Sequence, residues 1–149
     1  MKKITKRLTA FLVCMCCVFQ IVGNAQAMDN VQEIIQYDDG TYAEITLTQS
    51  NMTSRSATKT GSKTYIYKDS SGNVLFTYTL KGSFQYDGST SKALTCSTGY
   101  SIMKSGWSKK SDSCYCSGNK AYGTAKFANS STSKTVNLTI TCSKNGTFS

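Results

Sequence analysis

Four of the seven cysteines raise the first chemical question. Cys114 and Cys116 flank Tyr115 among Ser108, Lys110 and Asp112, with Cys96 upstream and Cys142 downstream. Two thiols at that spacing could cycle between dithiol and disulfide or hold a soft metal. The chain contains no histidine, which removes the Ser-His-Asp and Cys-His nucleophile schemes together with the usual zinc sites. Thiols in an exported chain ordinarily oxidise to structural bridges, so Cys96, Cys114, Cys116 and Cys142 are expected to form two disulfides and no metal site. Two pairings are open. Cys96 and Cys142 fall on the apolar faces of their strands and could join through the core, leaving Cys114 and Cys116 to close a tight ring. Alternatively, each of Cys114 and Cys116 joins one of Cys96 and Cys142, which avoids the strain of bridging two residues at the limit of disulfide reach.

Acids are the other residues with reactive potential. Beyond residue 55 only Asp69, Asp87 and Asp112 remain, each beside Gly or Ser, where an aspartate ordinarily caps a turn. A hydrolase built on paired carboxylates is therefore the third reading of this chain. Lys59-Thr60-Gly61, Ser111-Asp112-Ser113 and repeated Ser-x-x-Lys tetrads such as Ser101 to Lys104 imitate the signatures of penicillin-binding enzymes. The Lys-Thr-Gly comes first instead of last, the middle motif lacks its Asn, and no helix carries a nucleophile, so the match fails. No catalytic residue and no cofactor is expected.

The compartment follows from the first 27 residues. Lys2, Lys3, Lys6 and Arg7 precede an apolar run from Ala10 to Gly23, and Ala25-Gln26-Ala27 supplies small residues two apart. The apolar run is too short for a stable membrane anchor, and the whole reads as an export signal cleaved after Ala27. Cys14, Cys16 and Cys17 leave with it and lack the small preceding residues that lipid attachment requires. A secreted, extracellular protein of residues 28–149 is expected, long enough for one domain with a core.

Charge is unevenly spread within that domain. Residues 28–55 form an acidic lead segment with Asp29, Glu33, Asp38, Asp39 and Glu44 against Arg55, whereas residues 56–149 carry twelve lysines against three aspartates. Either the lead packs across a basic body or the body faces an anionic partner such as a cell-wall polymer, a glycan or a membrane surface. No nucleic-acid partner is expected, because the lysines are spread through strands and turns, arginine is almost absent and no binding motif occurs.

The elements that must position these residues are strands. Tyr42 to Thr48 alternates as a strand, and Asp29 to Tyr37 is either a short helix or an added strand. Asn51 to Lys59 is polar, a loop or an edge strand. Lys63 to Lys68 and Val74 to Leu80 are joined by Asp69-Ser-Ser-Gly-Asn73 in the clearest hairpin, with Gly72 free to take a positive φ. Phe84 to Tyr86 meets the Asp87-Gly88 turn, after which Leu94, Cys96, Tyr100 and Ile102 are expected on one face, until Ser105-Gly106-Trp107 breaks the strand. Ser117-Gly118-Asn119 turns into a strand with Ala121, Gly123, Ala125 and Phe127 on one side. Val136, Leu138, Ile140 and Cys142 share the inner face of the last. About eight short antiparallel strands predict an all-β domain, a β-sandwich or an open barrel. An aromatic on the flat face of such a sheet is positioned to stack on a sugar ring. Trp107, in its loop, and Tyr65 and Tyr67, on a two-sided strand, are the candidate ligand contacts.

Residues 57–72 (Ala-Thr-Lys-Thr-Gly-Ser-Lys-Thr-Tyr-Ile-Tyr-Lys-Asp-Ser-Ser-Gly), Tyr86 to Lys92, Ser117 to Ala121 and Leu138 to Gly146 together resemble a family of small uncharacterised secreted proteins of Gram-positive gut bacteria. The resemblance implies secretion and a β-rich domain and carries no activity; the Cys-Tyr-Cys pair is less typical of that family. The expectation is a secreted, non-enzymatic binding module for a cell surface or extracellular polymer, with a secreted antimicrobial or toxin-like protein acting on envelopes as the alternative.

Overall fold

The computed structural model describes residues 30–49 and 57–149. The expected export signal at residues 1–27 and the polar residues 50–56 lie outside the described residues. Eight strands follow in order: β1 (Asn30–Gln36), β2 (Tyr42–Gln49), β3 (Ala57–Lys68), β4 (Val74–Tyr86), β5 (Ser91–Ile102), β6 (Ser108–Ser117), β7 (Lys120–Ala128) and β8 (Ser133–Thr141). The first five make one sheet and the last three another, each strand lying beside its neighbour in sequence, and every pairing is antiparallel. The protein is an all-β sandwich.

The ambiguous segment at residues 29–37 resolves as a strand, since β1 pairs with β2 from Asn30 opposite Leu47 to Gln36 opposite Tyr42. Within the acidic lead, β1 is thus an edge strand of the larger sheet and β2 its inner neighbour. The β3–β4 hairpin runs well beyond its expected ends, because the polar residues 57–62 continue the ladder opposite Lys81 to Tyr86. Its turn is held by the Asp69 carboxylate, whose Oδ1 accepts the amides of Ser71 at 3.0 Å and Asn73 at 2.9 Å, while Gly72 takes φ 86°. A type of turn that needs φ > 0 accepts glycine without strain.

One expected face is corrected. In β5, Thr95 lies opposite Ser83 and Ala93 opposite Phe84, so Leu94 is the extra residue of a β-bulge. The bulge reverses the alternation, burying Ala93 and leaving Leu94 43% exposed. Cys96 and Ile102 keep the inward side, packed against the core, while Tyr100 lies at the rim, 48% exposed, with its ring 6.1 Å from that of Phe127. The inner faces of β7 (Ala121, Gly123, Ala125, Phe127) and β8 (Val136, Leu138, Ile140, Cys142) match the expected alternation in full, every residue being buried.

The two sheets meet unevenly. At one end Phe76 stacks on Phe127 with centroids 4.1 Å apart. Further along, β4 and β7 approach so closely that a Cβ built on Gly123 would lie 2.9 Å from the Tyr78 hydroxyl, and one on Gly82 would lie 3.0 Å from the Ala121 methyl. Past β8 the chain folds back through a Cys142–Phe148 bridge, and the Phe148 ring fills the space above Gly61.

Where β5 ends one sheet and β6 begins the other, the two edge strands run antiparallel across a seam. Its backbone link is the Ala93 amide donating to the Gly118 carbonyl at 2.9 Å.

Candidate functional site

The structure places chemically capable side chains in three settings. Tyr65 and Tyr67 belong to the first, the interior. β3 pairs Tyr65 with Tyr78 and Tyr67 with Phe76, so the alternation turns both tyrosines onto the inner face and presents Thr64, Ile66 and Lys68 outward. They are 4% and 1% exposed. Tyr65 shares a 2.8 Å hydrogen bond with Tyr37, and Tyr67 shares one of 2.7 Å with Thr41; burial first, then the Tyr37 hydroxyl, pushes the Tyr65 phenol well above its ordinary value. Trp107 is half-buried and packs on the same cluster, edge-on to Tyr67 at 5.7 Å and tilted on Phe76 at 5.1 Å. Tyr65 and Tyr67 are therefore core, not ligand contacts, and Trp107 closes the end of the core where the loop between β5 and β6 crosses.

The second setting is the β5–β6 seam. Asp112 was expected in a turn; it lies inside β6, opposite Ala125. Lys109 lies opposite Phe127 and Ser111 opposite Lys126, so Lys110 is the extra residue of a bulge. Three positions apart on a regular strand, Lys109 and Asp112 would point to opposite faces; the bulge brings them to the same one. They form a 3.1 Å ion pair, and the Lys109 ammonium also lies 4.3 Å from the centroid of Tyr100 on β5. Asp112 accepts the Thr98 hydroxyl at 2.9 Å from each oxygen and the Tyr78 hydroxyl at 3.3 Å. Burial alone would raise the Asp112 carboxyl, but the hydrogen bonds from Lys109 and Thr98 outweigh it and hold the group below its ordinary value. Tyr78 is pushed up by burial and by the Asp112 charge. This carboxylate is held ionised by its donors and has the character of a structural anchor between strands. Asp87 repeats the Asp69 arrangement in its own turn, accepting the amides of Ser89 at 2.8 Å and Thr90 at 2.7 Å.

Next along the seam are three of the four cysteines. Cys96, Cys114 and Cys116 all pack against the core, and Cys96 has both Cys114 and Cys116 as hydrogen-bonding neighbours. The sulfurs are close but unbonded, and the four cysteines among the described residues are free thiols. Burial and the two neighbouring thiols push the Cys96 thiol up. Cys142 is set apart at the end of β8, fully buried, its Sγ 3.4 Å from the Ser143 carbonyl.

The third setting is the outer face of the three-stranded sheet, which the candidate contacts missed. With Cys114 and Cys116 turned inward, Tyr115 points out and is 60% exposed. The tight turn at Gly118-Asn119 pairs Tyr115 with Tyr122, and their rings stack at 4.8 Å with 14° between planes. Ser113 and Ser117 on β6, Lys120, Thr124 and Lys126 on β7, and Thr135, Asn137 and Thr139 on β8 share that face. Thr124 donates to Asn137 at 3.0 Å. Lys120 and Lys126 are exposed, and neither makes a salt bridge among the described residues. The signal for this pair was in the sequence: the same alternation that buries Cys114, Cys116, Ala121 and Gly123 exposes the residues between them.

Among the described residues no group of three or more Cys, Asp and Glu side chains is arranged to hold a metal ion. Comparison with family models, with curated proteins and with solved structures finds no match.

Proposed function

We propose that this is an exported, non-enzymatic binding module whose contact surface is the outer face of β6, β7 and β8, and that its target is an anionic glycopolymer of a cell surface. The observation that carries the reading is the exposed Tyr115 ring stacked on half-buried Tyr122 on the outer face of the three-stranded sheet, between exposed lysines. A ring pair of this kind offers an apolar platform to the C–H face of a sugar, the surrounding Thr, Ser and Asn side chains offer hydrogen bonds, and Lys120 and Lys126 offer charge to carboxylate or phosphate groups. Export rests on the signal-like pattern of the first 27 residues, and the anionic target on the basic character of residues 56–149.

The test is sedimentation of the mature protein with purified Gram-positive cell walls before and after removal of their anionic polymer. Binding is expected to fall with added salt, since exposed charges are screened. Tyr115→Ala with Tyr122→Ala is expected to weaken it about tenfold, the size of a lost aromatic contact. Equal binding by the double variant and the parent would overturn the proposal.

A further inference from the structure

The four cysteines divide as three and one, and the seam explains the division. Across it, Tyr100 meets Lys109, Thr98 meets Asp112 and Ala93 meets Gly118. These contacts define one antiparallel register in which Cys96, between Ala93 and Thr98, falls opposite the Cys114–Cys116 stretch, between Asp112 and Gly118. A second, independent line comes from the interior: Gly82 packs against Ala121, and their outward neighbours in the two sheets are Cys96 and Cys116 respectively. The first line sets Cys96 opposite the Cys114–Cys116 stretch and the second sets it beside Cys116, which agrees with both thiols being its hydrogen-bonding neighbours. Cys142 lies beyond Ile140 on β8, where its amide donates to the Asn119 carbonyl and its strand bridges to Phe148.

We propose that the β5–β6 seam is a thiol–disulfide exchange site, in which Cys96 forms a single bridge with either Cys114 or Cys116 while Cys142 stays a thiol. The partner is a small organic disulfide, RSSR. A thiolate at Cys114 or Cys116 attacks one sulfur of RSSR, forming a protein–S–S–R mixed disulfide and releasing RS⁻, which takes up the proton that the protein thiol lost. Cys96, losing its own proton, then attacks the protein sulfur of that mixed disulfide and expels the second RS⁻. Two protein thiols are oxidised, RSSR is reduced to two RSH, and no other reactant is required. The remaining thiol of the Cys114–Cys116 pair lies beside the new bond and, as thiolate, can attack the Cys96 sulfur and expel its neighbour as thiolate, which takes up the proton the attacker lost, so that the bridge moves between the two positions without net oxidation. Cys114 and Cys116 do not compete as a pair of their own, because same-face residues of an extended strand sit at the limit of disulfide reach. The bridge fastens the edge of one sheet to the edge of the other, and β6 carries Tyr115 on its opposite face.

Trypsin separates the outcomes, since Lys92, Lys104, Lys110, Lys120, Lys134 and Lys144 place Cys96, the Cys114–Cys116 pair and Cys142 on three different peptides. The mature protein, reduced and then treated with oxidised glutathione, is expected to lose two of its four alkylatable thiols and to yield a cross-link between peptides 93–104 and 111–120 with one thiol left on the latter. Cys114→Ser and Cys116→Ser are each expected to retain that cross-link, and Cys96→Ser to lose it, with far-ultraviolet circular dichroism confirming that each variant is folded. A cross-link to peptide 135–144, a Cys114–Cys116 ring formed as readily in Cys96→Ser, or four thiols still reactive after oxidation would each overturn the proposal.

Discussion

At one end of the interior the two sheets meet ring on ring, and at its waist they meet on glycine and alanine. The first region gathers Tyr37, Tyr65, Tyr67, Phe76, Trp107 and Phe127 within centroid distances of 4.1 to 6.3 Å. The second pairs Gly82 with Ala121 and Gly123 with Tyr78 and Leu80, and is flanked at the seam by three thiols. Their stabilities have different origins. The aromatic end draws on buried apolar area and is fixed once the chain folds. The waist offers less side-chain area, holds together by close backbone approach, and has at its margin groups that can become covalent.

Removing a ring tests the aromatic end most severely. Phe76 is fully buried and contacts Tyr65, Tyr67, Trp107 and Phe127, so Phe76→Ala is expected to destabilise the reduced protein by about 3–5 kcal/mol. Urea denaturation followed by Trp107 fluorescence reads the change directly. A loss below 1 kcal/mol would mean that the aromatic end does not dominate the core. Next in size, at the waist, is the proposed bridge. Cys96 to Cys114 or Cys116 would close a ring of about 20 residues, which should raise stability by roughly 3 kcal/mol in wild type and not in Cys96→Ser. A smaller waist effect is expected from Gly123→Ala. Its Cβ would sit 2.9 Å from the hydroxyl of fully buried Tyr78 and 3.0 Å from Leu80 Cδ1, and overpacking of this kind costs about 1–3 kcal/mol. If Gly123→Ala were neutral, the waist would be looser than these contacts describe.

The two regions were not equally legible in the sequence. The strands of β7 and β8 could be read residue by residue, because small or apolar residues alternate there without interruption. The β3–β4 hairpin was legible from Asp69, Gly72 and Asn73, though its far half was hidden by the polar run at residues 57–62, which pairs through backbone groups that composition does not reveal. In β5 the face of Leu94 was misread because a bulge intervenes, and in β6 the approach of Lys109 to Asp112 was hidden for the same reason. Leu94 and Lys110 each shift the alternation by one, and a bulge leaves no mark in composition. Tyr65 and Tyr67 were candidate ligand contacts because tyrosine, with an apolar ring and a polar hydroxyl, suits either face of a strand whose other side carries Ile66, and only pairing with Tyr78 and Phe76 decides which side is core. The stacked Tyr115 and Tyr122 were implicit in the alternation around the Gly118-Asn119 turn. Cys96, by contrast, came to lie beside Cys114 and Cys116 through the meeting of two sheets, a long-range relation that strand periodicity does not encode.

The smallest expected effect separates the seam from both regions by its dependence on pH. Asp112 is the seam's one carboxylate among the described residues; it faces Lys109 from its own strand, Thr98 from β5 and Tyr78 from β4. Its pKa is depressed in the folded protein despite burial, because Lys109 and Thr98 donate to the ionised form. A depressed carboxyl stabilises the fold above its unfolded pKa of about 3.9 and loses that contribution as pH falls through the lower, folded value. Wild type is therefore expected to lose stability more steeply than Asp112→Asn below about pH 4, with the variant weaker at pH 7 and the two converging in acid. Asp69 and Asp87, whose carboxyls are likewise lowered by their turn hydrogen bonds, supply acid dependence common to both proteins, so the difference between the two curves isolates Asp112. Parallel curves from pH 7 to pH 2 would show that β5 and β6 are joined by packing and the Ala93–Gly118 bond alone, with the ion pair contributing nothing to the seam.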